Sequence, residues 1–523
     1  MTDRDKELGE ALARLPIPEL PEEFWEDLGL RCEEALREET PGTQAQTVRA
    51  LVLPWRERAP RKRWLAAVRL ARFSRLATVG AITALLVLLA SLLPKGFLQP
   101  QQAGAAIPVV ALKPDCGSDG NAAGKGQRLV VAASWDGTER IRFLQVLKRF
   151  QQSTGAGVIL ADAKPSRNLA RDLSARIEGH CPPDVAILPQ PGLLQDLARG
   201  GHLQPIDDVA GQPVDENYAP IWRQWGSFGG KLYGVWFKAA DKSRIWYRPE
   251  VFQRAGVDPP QTWDLLMQVA AAIQASGTIP FSVAGGPDAG WTLADWFENV
   301  YLATAGPDLY DKLANHQIPW TDPSVKRALT TLAEIFGTHG WLAGGTQAAL
   351  GKTYENSVGD VFGPTPSAAM VYEGDFVANA ISDVTKGMKA KPAVDFFDFP
   401  AIGGSRPLIV GGDAAVLFTN NQAGQALIRF LATPQAAQDW ARAGGFLSPN
   451  KNLNVDLYPD ARTREAAQTL TQAGTLHFGL SDLQPPASGA TVGQGLWQIF
   501  RDFLQNPKAV DATAGRLDEA TRP

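Results

Sequence analysis

Three cysteines in 523 residues are too few for a disulfide framework, so the chain is not a small cross-linked scaffold. Histidine is scarce too: the five, at 180, 202, 316, 339 and 477, show no HExxH or comparable spacing. No metal site is readable from them. Excess charge of either sign is missing, the net being −4 overall, and beyond residue 95 there are 36 basic against 41 acidic residues. A weakly acidic surface argues against nucleic acid as a partner. Internal repeats are absent, and long apolar runs are absent with one exception.

Catalytic motifs are lacking as well. GGTQAALGKT, from 344, looks like a phosphate loop, but five residues separate Gly345 from Gly351 where that loop has four. SPNK at 448 matches SxxK alone, without the accompanying elements of a penicillin-binding site. Asp295 and Glu298 are i and i+3 on one helix, so they do not face each other across a glycosidic bond. Neither an enzymatic activity nor a cofactor is expected.

The apolar exception is residues 76–93, eighteen residues without a charge. That length suffices for a tilted membrane span. A secretory leader has a shorter apolar region, about 7–15 residues, and starts near the N-terminus. The flank before it, RERAPRKRWLAAVRLARFSR, carries eight Arg or Lys and one Glu, and the flank after it only Lys95. Such one-sided flanks argue against a buried core helix. Positive charge stays in the cytoplasm, so the N-terminus is expected inside and the C-terminal domain outside the cell membrane. A single transmembrane helix, held in the lipid bilayer through residues 76–95, is expected to be retained.

Around that span the chain divides further. Residues 1–54 form an acidic, Pro-punctuated cytoplasmic segment in which Phe24, Trp25, Leu28, Ala35 and Leu36 can share one helical stripe. Residues 55–75 are a basic collar. Residues 96–127, rich in Gly, Ala, Pro and Gln, read as a flexible linker. Cys116 and Cys181 then lie in an oxidising compartment, either as one staple or as two free thiols, while Cys32 is cytoplasmic.

From Arg128 the pattern changes. RLVVAA, GVILA and DVAIL read as short strands, separated by the amphipathic stretch TERIRFLQVLKRF, with Thr138 as its N-cap, and by a helix near 168–177. Strands alternating with helices predict an α/β fold with parallel pairing. Ligands of such sheets gather at the carboxyl ends of the strands, here Ser134 to Asp136 and Pro189 to Pro191, although Trp135 and Asp136 have a competing reading as a buried anchor and an N-terminal cap. Tryptophan outnumbers tyrosine, 15 to 8, which points to flat apolar faces.

PPDVAILPQPGLLQDLARGGHLQPIDD and GGKLYGVWFKAADKSRIWYRPEVFQRAGVDPPQTWD, followed by GWTLADWFENVYLATAGPDLYDKL, AAMVYEGDF, GGDAAVLF and GGFLSPNKN, carry a resemblance. Together they resemble the family 1 extracellular solute-binding proteins of carbohydrate ABC importers, most closely the alpha-glucoside-binding branch. The likeness runs from about Val130 to about Tyr458, and weakly to the end. It implies a two-lobed periplasmic-binding-protein fold, type II-like, with hinge crossovers. Lobe 1 is expected at 128–237 plus 404–447 and lobe 2 at 238–403 plus 448–523, with the last crossover near Ser448. The resemblance also implies a cleft drawing on Trp135, Asp136, Gln190, Lys238, Trp291, Asp295, Trp296, Glu373, Asp375, Phe376, Gly412 and Asp413. A pyranose offers a face of C–H groups to an indole and a rim of hydroxyls to carboxylates and amines, which suits that set. Trp296 has a competing reading as core, and Gly412 as a purely backbone position.

Two roles follow. In one, the protein captures an oligosaccharide and delivers it to ABC permease subunits. In the other, it is a sugar sensor that reports through residues 1–54 to a cytoplasmic partner.

Overall fold

The computed structural model describes residues 106–113, 128–163, 168–472, 476–489 and 492–522. The acidic segment, the basic collar, the apolar span and Cys116 lie outside them. Among the described residues no helix is long and apolar enough to cross a membrane.

Eleven strands and nine helices are enough to place the site. In chain order they are β1 (Val109–Ala111), β2 (Arg128–Ala133), α1 (Gly137–Thr154), β3 (Gly157–Asp162), α2 (Leu169–Glu178), β4 (Val185–Leu188) and α3 (Pro191–Arg199). Next come β5 (Gly234–Asp241), β6 (Arg244–Tyr247), β7 (Ile279–Ser282), α4 (Gly290–Ala305), α5 (Tyr354–Phe362), β8 (Ala368–Tyr372) and α6 (Val377–Val384). The last are β9 (Asp395–Asp398), β10 (Ile409–Leu417), α7 (Pro434–Ala443), α8 (Ala461–Gln472), β11 (His477–Phe478) and α9 (Gly495–Gln505).

The first sheet runs β1-β3-β2-β4-β10-β11, with β5 also paired to β10. Strands β1, β3, β2 and β4 are parallel to one another, as the strand–helix alternation predicts, whereas β10 is antiparallel to both β4 and β5. β2 is buried along all but its first residue, which is why it reads as an unbroken apolar run. Helix α1 buries Phe143, Val146, Leu147 and Phe150 against the sheet, each ring contributing about 2–3 kcal/mol of burial. It stops at Gly155, whose φ of 73° lets its N–H reach back to Gln151 O. Ile141, beside that face, is 51% exposed. The N-cap position belongs to Asp136, not Thr138, which lies inside the helix. Asn168 does cap α2, accepting from the Arg171 N–H.

Residues 106–113 are not linker. Val109, Val110 and Ala111 extend the sheet as a parallel edge strand on β3, and Leu112 is buried in the first core. The apolar run IPVVAL inside the Gly- and Ala-rich stretch drives this.

The second sheet, β9-β6-β8-β7, pairs β6 antiparallel to β9 and β8, and β8 parallel to β7. It has its own cores, one built around α4 with Phe281, Trp296, Phe297 and Tyr301, the other around α5 and α6. The molecule is therefore a two-lobed, mixed α/β fold. The chain passes between lobes from β5 to β6 through Lys242 and Ser243, and returns between Phe399 and Val410. The third passage lies at 478–480 rather than at Ser448. Leu453, Tyr458, Ala467, Leu470 and Leu476 are buried in the first core, and Leu480 is the first to join the second. Residues 448–478 thus go with the first lobe, because their apolar side chains find their partners there.

Candidate functional site

At the carboxyl ends of the first sheet the chain turns into helices, and those turns place Trp135 after β2 and Gln190 after β4. Lys238 on β5 stands directly opposite Asp413 on β10, where the register shifts by a β-bulge after Asp413. Such a bulge re-aims a side chain. The Lys238 ammonium lies 2.6 Å from Glu139 Oε1 and 3.7 Å from Asp413 Oδ2. Three aromatic rings surround it, with centroids 5.7 Å away for Trp135, 5.7 Å for Phe376 and 5.9 Å for Trp440. Burial works against the Lys238 charge, but Glu139 and Asp413 outweigh it and hold its pKa above the ordinary lysine value. Burial pushes Asp413 up to about 6, and the nearby Lys238 only partly offsets this.

Phe376 comes from the second lobe and connects this group to a second aromatic set. Trp291 lies 6.0 Å from Phe376 and 5.3 Å from Tyr354, centroid to centroid. Beside them three buried polar atoms have no hydrogen-bond partner: the Tyr354 hydroxyl, Asp375 Oδ2 and the Trp440 indole nitrogen; the Glu373 carboxyl instead shares a hydrogen bond with Asp295. A buried polar group without a partner costs roughly 1–3 kcal/mol, so such atoms rarely cluster without reason. The other Asp375 oxygen accepts from the Asp241 N–H at 2.9 Å. Burial raises Asp375 to about 6, against the pull of Arg244 and Lys238.

A different charge group occupies the hinge. Lys242, in the first crossover, places its ammonium 3.1 Å from Asp295 Oδ1 and 2.9 Å from Asp482 Oδ2, just after the third. Glu298, one turn along α4 from Asp295, accepts from the Ser481 N–H at 2.8 Å. Burial, then the Asp295 charge, push Glu298 up to about 8. Asn299 ties the same region together, donating to the carbonyls of Lys242 and Asp295 and to the Tyr372 hydroxyl. Among the described residues, no group of three or more His, Cys, Asp or Glu side chains is arranged to hold a metal ion.

Of the expected residues, the structure brings together Trp135, Lys238, Asp413, Phe376 and Trp291, with Glu373 and Asp375 beside them. Asp295 belongs to the hinge cluster instead. Trp296 is core: 2% exposed, it packs on Phe281, Phe336, Tyr372 and Phe399. Position 412 is glycine because a Cβ there would lie 2.6 Å from the Lys238 carbonyl, so it keeps β5 and β10 close. Asp136 and Gln190 occupy the N-cap positions of α1 and α3 without a capping side-chain hydrogen bond. Glu139, Tyr354 and Trp440 were missed. Only the tryptophan surplus hinted at the last, and no motif marks the other two.

The two-lobed fold is that of known solute receptors. The structure overlays the bacterial solute receptor AcbH with a TM-score of 0.64 at 20% identity, covering 75% of this chain and 98% of that one. A chitin oligosaccharide binding protein gives 0.62 at 22% identity, over 76% of this chain and 100% of that one. Residues 137–438 match the family of bacterial extracellular solute-binding proteins, and the chain belongs to that family. It is 30% identical over 374 residues to the osmoprotective compounds-binding protein GgtB of Synechocystis sp., covering 70% of this chain and 86% of that protein. It is also 30% identical over 404 residues to the alpha-glucosides-binding periplasmic protein AglE of Rhizobium meliloti, covering 75% and 86%. Members of this family bind solutes and carry out no chemistry on them, so the protein is not an enzyme.

Proposed function

We propose that this protein captures a sugar or oligosaccharide of the alpha-glucoside type between its lobes and delivers it to an ABC permease. One observation carries the reading: partnerless buried donors and acceptors on Tyr354, Asp375 and Trp440 sit among the faces of Trp291, Phe376 and Trp135. Sugar hydroxyls supply partners for such atoms, and the C–H face of a pyranose packs on the rings. The likeness to AglE supports the alpha-glucoside choice.

The apolar stretch at 76–93 and its basic flank support a retained anchor, with residues 1–54 in the cytoplasm and the lobes outside. A second reading rests on the length of that acidic segment and its Phe24 and Trp25. An anchor needs no such segment, whereas a sensor reporting to a cytoplasmic partner does. Full-length protein in detergent, melted in the presence of maltose, trehalose, sucrose or cellobiose, tests the ligand class. A ligand at 100 times its Kd stabilises the fold by about 2.7 kcal/mol. At least one alpha-glucoside should raise the melting temperature where cellobiose does not; a flat response to all four rejects the assignment.

A further inference from the structure

Helix α1 begins without a cap of its own. Asp136 holds the N-cap position, yet its side chain makes no capping hydrogen bond to the helix. The Thr138 N–H donates instead to Asp383 Oδ2 at 3.0 Å, and the Thr138 hydroxyl donates to Asp383 Oδ1 at 2.7 Å. Asp383 lies on α6, which packs in the second lobe, whereas α1 packs in the first. One lobe thus supplies the N-cap of a helix in the other.

Four residues earlier, on the same face of α6, Asn379 is buried and makes a second crossing. Its amide donates to the Gly445 carbonyl at 2.6 Å and to Glu139 Oε1 at 3.4 Å. Glu139 is also the 2.6 Å partner of Lys238 in the candidate cleft. Glycines clear the way at both crossings. A Cβ on Gly137 (φ 48°) would fall 2.2 Å from Asp383 Oδ2, and one on Gly445 (φ 63°) 2.4 Å from Asn379 Oδ1.

We infer that Asn379 and Asp383 form a clasp that holds the lobes closed and positions Glu139, and through it Lys238. The inference rests on reading the cleft as a sugar site that lobe closure completes. Neither clasp residue belongs to the set of ring faces and partnerless polar atoms assigned to the sugar, so both act as positioning residues. Ligand affinity scales with the population of the binding-competent state. Losing a helix cap should therefore weaken sugar binding roughly two- to thirtyfold without removing a sugar contact.

The test reads closure with no sugar present. Full-length protein in detergent carries Cys32→Ser and nitroxide labels at Lys148→Cys, exposed on α1, and Gln253→Cys, exposed in the second lobe. Pulsed electron resonance gives the distance distribution. Asp383→Ala and Asn379→Ala should each move part of the parent's short-distance population to longer distances. Because Asp383 is exposed, its substitution spares the core. Distributions identical to the parent in both variants overturn the clasp. That result leaves the sugar assignment standing, since the melting titration tests it separately.

Discussion

Trp291 and Trp296 lie on one helix five positions apart and serve opposite ends. Trp291 is half-buried against Tyr354 and Phe376, while Trp296 is sealed among four aromatic rings of the second core. Trp291→Ala should lower affinity for the bound sugar about tenfold to a hundredfold with a small change in melting temperature. Trp296→Ala should cost about 3–5 kcal/mol of stability and leave the affinity of the folded protein unchanged. Calorimetric melting and sugar titration on both variants separate the two roles. At this scale the sequence was legible only in part. Its place at a strand end marks Trp135, whereas Lys238, Phe376 and Asp413 are implied only by the family resemblance. What a side chain packs against depends on distant segments, and that is why Trp296 looked equally like a ligand platform and Tyr354 went unnoticed.

Glu298 gives a pH signature. Its carboxyl titrates near 8 in the folded protein, raised by burial and then by Asp295; the ordinary value is 4.5. The native state holds this proton more tightly than the unfolded chain does. Stability is therefore greatest below the ordinary value and falls as pH rises toward 8. Asp295, Asp375 and Asp413, each raised to about 6, add a loss of the same sign at lower pH. The expected outcome is a melting temperature that drops between pH 6 and 8 and a shallower drop in Glu298→Gln, which keeps an acceptor for the Ser481 N–H. An equally steep profile in the variant would show that Glu298 is ionised throughout.

Among elements, β5 and β10 carry the most functional weight, since they run on into two crossovers and hold Lys238 opposite Asp413. Gly412→Ala would push a methyl group into the Lys238 carbonyl. That should destabilise the fold by about 1–3 kcal/mol and weaken sugar binding by displacing Lys238; chemical denaturation and ligand titration check the two effects.

The cysteine pairing belongs to this scale as well. Cys181 is disulfide-bonded, with its partner outside the described residues. Arg176 donates both to the Cys181 carbonyl at 3.0 Å and to the Lys113 carbonyl at 3.1 Å. The chain leaves Lys113 beside Cys181, three residues before Cys116, a reach of about 10 Å. Non-reducing peptide mapping should recover a Cys116–Cys181 cross-link; recovery of a Cys32–Cys181 peptide would contradict it. Elements were the most legible level of the sequence, because local apolar period and turn residues mark strands such as RLVVAA directly. The edge strand at 109–111 escaped notice because three residues amid Gly and Ala carry too little pattern.

For the whole molecule, the lobes and the family were readable from long blocks in register, but the last crossover was misplaced by about thirty residues. No composition shift marks it, because residues 448–478 choose their lobe by long-range packing alone. The proposed anchor predicts that protease added to intact cells removes the two-lobed domain and spares residues 1–95; a secreted form starting near Ala103 would contradict the proposal. The central claim, that the cleft between the lobes holds a sugar, is tested most directly by isothermal titration calorimetry. The full-length protein is titrated with a panel of gluco-oligosaccharides, and the titration is repeated on Trp291→Ala. The expected result is one-to-one binding of at least one alpha-glucoside, weakened about tenfold or more in the variant. Binding of none of the panel, or equal affinity in parent and variant, would contradict it.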